Sequence, residues 1–289
     1  MQTVAEARKW AIEQLKRARA ENPALTADLL LASVLGWDRI RILSHTEHIV
    51  PEESDARFQG LVARRIQGEP LQYLTGEKEF FGLTFQVAPG VLIPRPETEI
   101  LVERAIDLIR SQPLASARFA DIGTGSGCIA ISVARAVASS SGWAVDFSAP
   151  ALEIARGNAV RHNVEERVLF VRSDLFECFP PKPCFDLVLC NPPYIALEEC
   201  DSLPSEVRVY EPHEALFGGA SGLEMYRRLV PGAASRIKAR GHLLLELGAG
   251  QAAAVGTLVE SEGFMIETIV DDLQGIPRCL VARKILPEK

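Results

Sequence analysis

The sequence predicts an α/β fold in which strands and helices alternate around an open sheet. Two segments indicate this fold. Residues 121–127 read Asp-Ile-Gly-Thr-Gly-Ser-Gly, and this glycine loop stands between a short apolar stretch and a run with helical spacing. Residues 185–190 form a second apolar run, which ends at Asn-Pro-Pro-Tyr, residues 191–194. Ligands of open α/β sheets bind beyond the carboxyl ends of the strands, so both segments are expected at one edge.

The chain begins with a predicted helical bundle over residues 1–75. A capping-box pattern begins the first helix at Thr3, and Gly36 is expected to end a second helix that starts at Ala27. A third helix is expected to open near Pro51. Its inner face is predicted from four apolar side chains, Phe58, Leu61, Val62 and Ile66. The bundle contains no set of residues with an evident chemical role.

Residues 76–97 are predicted to form a β-hairpin linker, because Lys-Glu-Phe-Phe-Gly-Leu-Thr-Phe-Gln-Val alternates between polar and apolar side chains. Residues 98–289 are predicted to form the α/β domain, in which strands and helices alternate to the end of the chain. Further strands are expected over residues 241–248, 263–270 and 278–283.

The glycine loop is predicted to hold a nucleotide-like ligand. Its spacing is G-x-G-x-G, one residue shorter than the dinucleotide fingerprint, which argues against NAD. Glycines let the backbone pass close to a ligand, and the start of the following helix presents free N–H groups. An acidic residue just before the loop can meet a cationic group. The candidate binding residues are Asp121, Gly123, Thr124, Gly125, Ser126 and Gly127.

Two further carboxylates are expected at the same edge. Asp146 ends the next predicted strand, about twenty residues past the loop, where a carboxylate accepts hydrogen bonds from both ribose hydroxyls. Asp174 follows the strand predicted over residues 168–172. It can accept from an exocyclic amine, or it can cap a helix. Either Leu175 or Phe176 is expected to pack on an adenine face.

The Asn-Pro-Pro-Tyr segment has the groups needed to hold a planar NH₂ group. The side-chain oxygen of Asn191 accepts one N–H, and Pro192 and Pro193 offer carbonyls without competing donors. Tyr194 supplies a flat wall. Such a clamp suits an amide or aromatic amine whose nitrogen acts as a nucleophile. The alternatives are a strand followed by a proline-rich turn and, for Tyr194, plain packing at the strand exit.

Across nearly its whole length the chain resembles the class I S-adenosyl-L-methionine-dependent methyltransferases. Within them it is most similar to the release factor-specific protein-(glutamine-N5) methyltransferases, the HemK/PrmC family. Besides the glycine loop and residues 191–195, the segments that carry the resemblance are residues 68–76, 80–82, 92–99, 211–212 and 215–219. The stretch Ile-Pro-Arg-Pro-Glu-Thr-Glu resembles the family's linker into the catalytic domain. One departure is Leu175, where family members often carry an aromatic residue.

The resemblance implies a Rossmann-like, seven-stranded mixed sheet with an antiparallel edge, preceded by a helical substrate-recognition domain. It implies S-adenosyl-L-methionine as cofactor and S-adenosyl-L-homocysteine as product. It also implies transfer to the glutamine of the Gly-Gly-Gln loop of class I peptide chain release factors. Asn191, Pro192 and Tyr194 are the expected catalytic residues. Substrate binding is expected from residues 191–194, and cofactor binding includes Asn191.

The composition fits an ordinary globular enzyme, with 47% apolar and 24% charged residues. The sequence shows no transmembrane stretch and no signal peptide, so cytoplasmic location is expected. The six cysteines lack zinc spacings, so free thiols and no metal are predicted. A net charge of −7 argues against a direct nucleic-acid substrate. An adenine-N6 methyltransferase of DNA or RNA and a non-catalytic binding protein remain the alternatives.

Overall fold

The computed structural model describes residues 2–111 and 116–285. The chain divides into two compact units. A helical unit contains Met1–Glu77 and Pro204–Tyr210, and a sheet unit contains Lys78–Leu203 and Glu211–Lys289. Within the described ranges, no helix has the length and apolar character needed to cross a membrane.

Five N-terminal helices build most of the helical unit. The capping box forms as predicted, with the Thr3 side chain accepting from the backbone of Glu6. The second helix begins at Pro23 rather than Ala27, because proline is well tolerated in a first turn. Two of the helices were not predicted, since five or six residues are too few to show a periodic pattern. The helices are α1 (Val4–Arg17), α2 (Pro23–Leu35), α3 (Arg39–Ser44), α4 (Glu52–Ile66) and α5 (Leu71–Thr75).

The inner face of α4 is shorter than predicted. Phe58 and Val62 are fully buried, and Leu61 packs partly against the same core. Ile66 is exposed, because it is the last residue of the helix and no neighbouring element covers it. The prediction for Ile66 was therefore wrong.

A short helix from much later in the chain, α9 (Ser205–Tyr210), belongs to the helical unit. The Arg65 guanidinium forms a 2.8 Å ion pair with Glu206. The Tyr210 hydroxyl donates to the backbone oxygen of Gln67 at 3.1 Å. Residues 98–289 had been expected to form one domain. These long-range contacts, which local sequence patterns do not reveal, place residues 204–210 elsewhere.

The sheet unit begins with the predicted hairpin and continues into a seven-stranded sheet. The strands are β1 (Glu77–Phe80), β2 (Leu83–Gln86), β3 (Arg118–Ile122), β4 (Ser141–Asp146), β5 (Val168–Arg172), β6 (Phe185–Cys190), β7 (Ile237–Glu246), β8 (Phe264–Asp271) and β9 (Pro277–Lys284). In the large sheet the order is β5-β4-β3-β6-β7-β9-β8. Strands β3 to β7 pair in parallel, and β9 pairs antiparallel with β7 and β8. The predicted mixed sheet and antiparallel edge are confirmed.

Helices cover both faces of this sheet. Successive strand residues point to opposite faces, so Phe119 and Leu187 enter one core while Ala120 and Val188 enter the other. The remaining helices are α6 (Thr98–Ser111), α7 (Cys128–Ala136), α8 (Ala149–Arg161), α10 (His213–Leu216), α11 (Glu224–Arg236) and α12 (Ala252–Ser261). A 3₁₀ turn, Leu197–Ser202, follows the Asn-Pro-Pro-Tyr segment.

The strand order reverses direction between β3 and β6. From β3 the chain continues outward to β4 and β5, and it then returns to the other side of β3 to form β6 and β7. The two connections diverge at this point and leave a crevice beyond the carboxyl ends of the strands, which is where such sheets bind ligands.

Candidate active site

A cavity of about 550 Å³ opens beyond the carboxyl ends of β3, β4, β5 and β6. Most of the residues proposed from the sequence line it, and they come from four separate loops. Those at its wall are Gly123, Thr124, Gly125, Ser126, Asp146, Asp174, Leu175, Asn191, Pro192 and Pro193. In the described part of the chain, no group of three or more His, Cys, Asp or Glu side chains is arranged to hold a metal ion.

Asp121 supports the glycine loop from below and does not line the cavity. Its carboxylate is fully buried and accepts from the Thr124 hydroxyl at 2.6 Å and from the Ala130 backbone N–H at 3.1 Å. Burial raises the pKa of this carboxyl group to about 7. Asp121 had been expected to contact a ligand. Because its side chain points into the protein at the end of β3, it instead ties the loop to the start of α7.

Gly127 also has a packing role. Its φ is +82°, and a Cβ there would lie 2.8 Å from Cδ1 of Ile131 and 3.2 Å from Cβ of Ala155. Only glycine lets α7 and α8 approach so closely at this point. Gly127 does not line the cavity, unlike Gly123 and Gly125, whose positive φ values turn the backbone along the cavity wall.

Asp146 is held in place by the backbone and keeps its carboxylate at the cavity wall. One oxygen accepts from the N–H of Gly125 and the other from the N–H of Ser148, both at 2.9 Å. Burial raises the pKa of this group. Each oxygen has a further lone pair for a ligand hydroxyl. The next residue, Phe147, is half exposed at the cavity and was not proposed from the sequence.

In the loop after β5, the two residues proposed as adenine contacts point in different directions. Leu175 lines the cavity, whereas the Phe176 ring is buried in the core beneath Arg236. Phe176 was therefore wrongly placed at the ligand, because the turn rotates it toward α11. Asp174 does not cap a helix. Its carboxylate lies at the cavity and pairs with Arg228 at 2.6 Å.

Asn191, the first residue of the clamp segment, has a fixed side chain. Its Nδ2 donates to the Thr98 hydroxyl oxygen at 3.1 Å, and that hydroxyl donates to Glu246 at 2.6 Å. Asn191, Pro192 and Pro193 line the cavity, but Tyr194 does not. The Tyr194 ring packs at the strand exit, and its hydroxyl donates to Glu246 at 3.3 Å. The expected wall role of Tyr194 is therefore wrong, and the alternative of packing holds.

The backbone of the clamp is braced by residues 215–219. Ile195 donates to the Leu216 oxygen at 3.0 Å, and Gly218 donates to the Ile195 oxygen at 2.9 Å. Gln251 donates from its side chain to the Tyr194 oxygen at 2.9 Å. The Tyr194 and Ile195 carbonyls are therefore fixed from behind, which gives a defined shape to a segment without regular secondary structure.

Sequence reasoning missed one wall of the cavity. Residues 89–92, 94 and 95 line it, and the Arg95 guanidinium pairs with Glu211 at 2.5 Å. Glu211 is buried and also accepts from the Ile93 backbone N–H at 3.3 Å. Residues 92–99 and 211–212 carried the family resemblance, but the first was interpreted only as a linker. Because the buried partner of Arg95 lies over a hundred residues away in the sequence, no local sequence pattern predicts this ion pair.

Thr98 and Glu246 were also missed. Both are almost completely buried, and burial raises the pKa of Glu246 to about 7. Glu246 ends β7 within an apolar run, and Thr98 begins α6, so each looks like an ordinary boundary residue in the sequence. They come together behind Asn191 only because β6 and β7 are neighbours and α6 packs across them.

The sheet order, the glycine loop and the carboxylate at the end of β4 define a class I, S-adenosyl-L-methionine-dependent methyltransferase. A family model described as the PrmC N-terminal domain matches residues 6–76, and one described as the methyltransferase small domain matches residues 98–204. A methyltransferase from Pyrococcus furiosus shares the fold, with 17% identity, a TM-score of 0.53, and 82% of this chain and 100% of that chain covered.

Two curated relatives identify the family. The release factor glutamine methyltransferase of Nitratidesulfovibrio vulgaris is 43% identical, over 96% of this chain and 94% of the relative. That of Koribacter versatilis is 39% identical, over 98% of this chain and 99% of the relative. The chain belongs to the release factor glutamine methyltransferase family.

Proposed function

We propose that this protein transfers a methyl group from S-adenosyl-L-methionine to the side-chain amide nitrogen, N5, of a glutamine. The proposed substrate is the glutamine of the Gly-Gly-Gln loop in class I peptide chain release factors. The observation that carries the proposal is the fixed amide of Asn191 beside two donor-free prolines at the wall of the cavity. The names of the relatives support release factors as the substrate.

The residues at the cavity fit the cofactor. Asp146 is a buried carboxylate with free lone pairs for ribose hydroxyls, and Gly123 and Gly125 leave the backbone open to a ligand. Leu175 and Phe147 are apolar side chains suited to the two sides of an adenine ring. When bound, S-adenosyl-L-methionine supplies an electrophilic methyl group on a sulfonium.

The protein's own contribution is positioning. Asn191 accepts one N–H of the substrate amide through Oδ1, and the carbonyl of Pro192 accepts the other. The two acceptors together orient the nitrogen and favour a less delocalised lone pair. Fixed dipoles and orientation supply the rate enhancement. As the N–CH₃ bond forms, the S–CH₃ bond breaks and S-adenosyl-L-homocysteine leaves. The methylated nitrogen then loses one proton to solvent, so no general base has to act before the attack. Pro193 completes the wall, and Tyr194 acts from behind through Glu246.

Adenine N6 is also a planar NH₂ group, so the first experiment must separate protein from nucleic acid. Labelled S-adenosyl-L-methionine is incubated with the enzyme and a release factor, with duplex DNA, or with neither. We expect label in the release factor only. Label in DNA but not in the release factor would contradict the proposal. Asn191→Ala serves as the control, and it should transfer label to the release factor far more slowly than the wild type.

The helical unit is proposed to recognise the release factor, and the cytoplasm is the proposed location. Ile40 on α3 is 76% exposed and has no role in the core of its unit. We expect Ile40→Glu to raise the KM for an intact release factor while the affinity for S-adenosyl-L-homocysteine stays unchanged. Leu273→Glu, at a fully exposed position of the sheet unit, is the control. Equal KM values for both variants would contradict recognition by α3.

A further inference from the structure

A chain of hydrogen bonds runs from Asn191 through Thr98, which also lines the cavity, to the buried Glu246 behind the clamp. Asn191 Nδ2 donates to Thr98 Oγ1 at 3.1 Å, and Thr98 donates to Glu246 Oε2 at 2.6 Å. The Tyr194 hydroxyl donates to the other oxygen, Oε1, of Glu246 at 3.3 Å. Thr98 and Glu246 are 2% and 1% exposed, so little water competes for these bonds.

The number of protons shared by Glu246, Thr98 and Asn191 determines whether the oxygen or the NH₂ group of the Asn191 amide faces the cavity. A carboxylate can only accept hydrogen bonds, and a threonine hydroxyl has a single proton to donate. When Glu246 is ionised, the Thr98 proton must point to Glu246. The Thr98 oxygen can then only accept, so Asn191 must turn its NH₂ group toward Thr98. The Asn191 oxygen is left for the cavity.

We propose that Thr98 and Glu246 are positioning residues that set the direction of the Asn191 amide, so that its oxygen and not its NH₂ group meets the substrate. The inference rests on the proposed function, because it assumes a substrate that offers N–H donors to the clamp. With the amide reversed, donors on Asn191 would face donors on the substrate. The clamp would then repel the group that it has to hold.

Protonation of Glu246 can reverse the direction of these hydrogen bonds. A protonated carboxyl group can donate to Thr98, which frees the Thr98 proton for the Asn191 oxygen. Burial raises the pKa of Glu246 to about 7, and Glu97 acts in the same direction. Hydrogen bonds from Thr98 and Tyr194 and the charge of Arg278 oppose that rise. The other titratable groups that interact with Glu246 are Cys128, Cys190, Tyr226 and Cys279.

The first test compares Thr98→Val with Thr98→Ser in single-turnover methylation of a release factor. Valine keeps the shape of threonine without its hydroxyl, and serine keeps the hydroxyl. We expect Thr98→Val to lower the rate constant about tenfold or more, by analogy with the cost of small misplacements. Thr98→Ser should restore most of the rate, and neither variant should change the affinity for S-adenosyl-L-homocysteine. Thr26→Val, a buried substitution in the helical unit, is the control.

A wild-type rate in Thr98→Val would overturn the inference, as would a loss of cofactor affinity as large as the loss of rate. The second test decides the case even if Thr98→Val does not fold. The wild-type rate constant should fall on acidification through about pH 7, where Glu246 gains its proton. In Glu246→Gln that inflection should be absent. An inflection that persists in Glu246→Gln, or none in the wild type, would contradict the inference.

A third readout does not need the substrate and so separates failure of the inference from failure of the proposed function. Protein labelled with ¹⁵N-asparagine gives side-chain NH₂ signals, and Asn191→Ala identifies the signal of Asn191 by its loss. This signal should shift on acidification through about pH 7 in the wild type and stay in place in Glu246→Gln. An unchanged wild-type signal would overturn the inference even if release factors prove not to be the substrate.

Discussion

Gly218 stands directly behind the clamp, and a single methyl group there should displace it. A Cβ at this position would lie 2.4 Å from the carbonyl oxygen of Pro193 and 3.0 Å from the Cα of Tyr194. It would also lie 2.8 Å from the carbonyl oxygen of Gly222. All three contacts are to backbone atoms, which cannot rotate away as a side chain would.

The size of the effect follows from these distances. Cβ atoms essentially never approach another heavy atom closer than 3.0 Å, so Pro193 must retreat by roughly half an ångström in Gly218→Ala. A displacement of about 1 Å in a positioning residue costs on the order of 100-fold in rate, so about tenfold is expected here. Overpacking of this kind should also cost about 1–3 kcal/mol of stability.

The assay measures kcat and KM for methylation of a release factor, together with calorimetric titration of S-adenosyl-L-homocysteine. We expect Gly218→Ala to lower kcat while cofactor affinity stays close to that of the wild type. Gly60→Ala in α4 is the matched control, because a Cβ there meets nothing within 4 Å. A folded Gly218→Ala enzyme with wild-type kcat would refute the claim that the clamp depends on the position of its backbone.

Asn191→Ala should lower kcat by about a hundredfold or more, as loss of a preorganised hydrogen-bonding group does. Its affinity for S-adenosyl-L-homocysteine, measured by calorimetry, should stay almost unchanged. A loss of cofactor affinity as large as the loss of kcat would contradict the role of Asn191 in holding the substrate amide. Asp146→Asn should weaken that affinity about tenfold or more, since hydrogen bonds to charged groups contribute about 1.5–3 kcal/mol. Unchanged affinity would remove Asp146 from the site. Folding raises the pKa of Glu246 from its ordinary 4.5 to about 7. Wild-type stability should therefore fall, relative to Glu246→Gln, by up to about 3 kcal/mol as pH rises across that interval. Denaturant unfolding at several pH values tests this, and parallel pH curves would contradict it.

Features with a local cause could be predicted from the sequence. The glycine loop, Asp146 and the end of β6 were found because glycine spacing and apolar runs have short-range signatures. The seven-stranded sheet was expected from the family resemblance, and the strand order confirms it. The same local signals predicted at which edge of the sheet the cavity lies, because the carboxyl ends of parallel strands meet at one edge.

The errors arise where tertiary packing decides. Asp121 and Gly127 belong to the glycine-loop motif but do not line the cavity. The Asp121 carboxylate forms buried hydrogen bonds, and Gly127 lies where α7 and α8 pack closely. The turn after β5 directs Phe176 into the core and Leu175 to the cavity. Both residues are apolar, so their identities do not predict which one faces the cavity. Glu246 becomes part of the site through side-chain hydrogen bonds with Tyr194 and with Thr98, and Thr98 lies 148 residues away in the chain.

The most direct test of the central claim is mass spectrometry of a release factor after incubation with the enzyme and S-adenosyl-L-methionine. We predict that the peptide containing Gly-Gly-Gln gains the mass of one methyl group and that fragmentation assigns it to the glutamine side chain. After an equally short incubation with Asn191→Ala, almost all of the same peptide should remain unmodified. An unmodified glutamine after incubation with active wild-type enzyme, or a methyl group on another residue, would contradict the claim that this site methylates a glutamine amide.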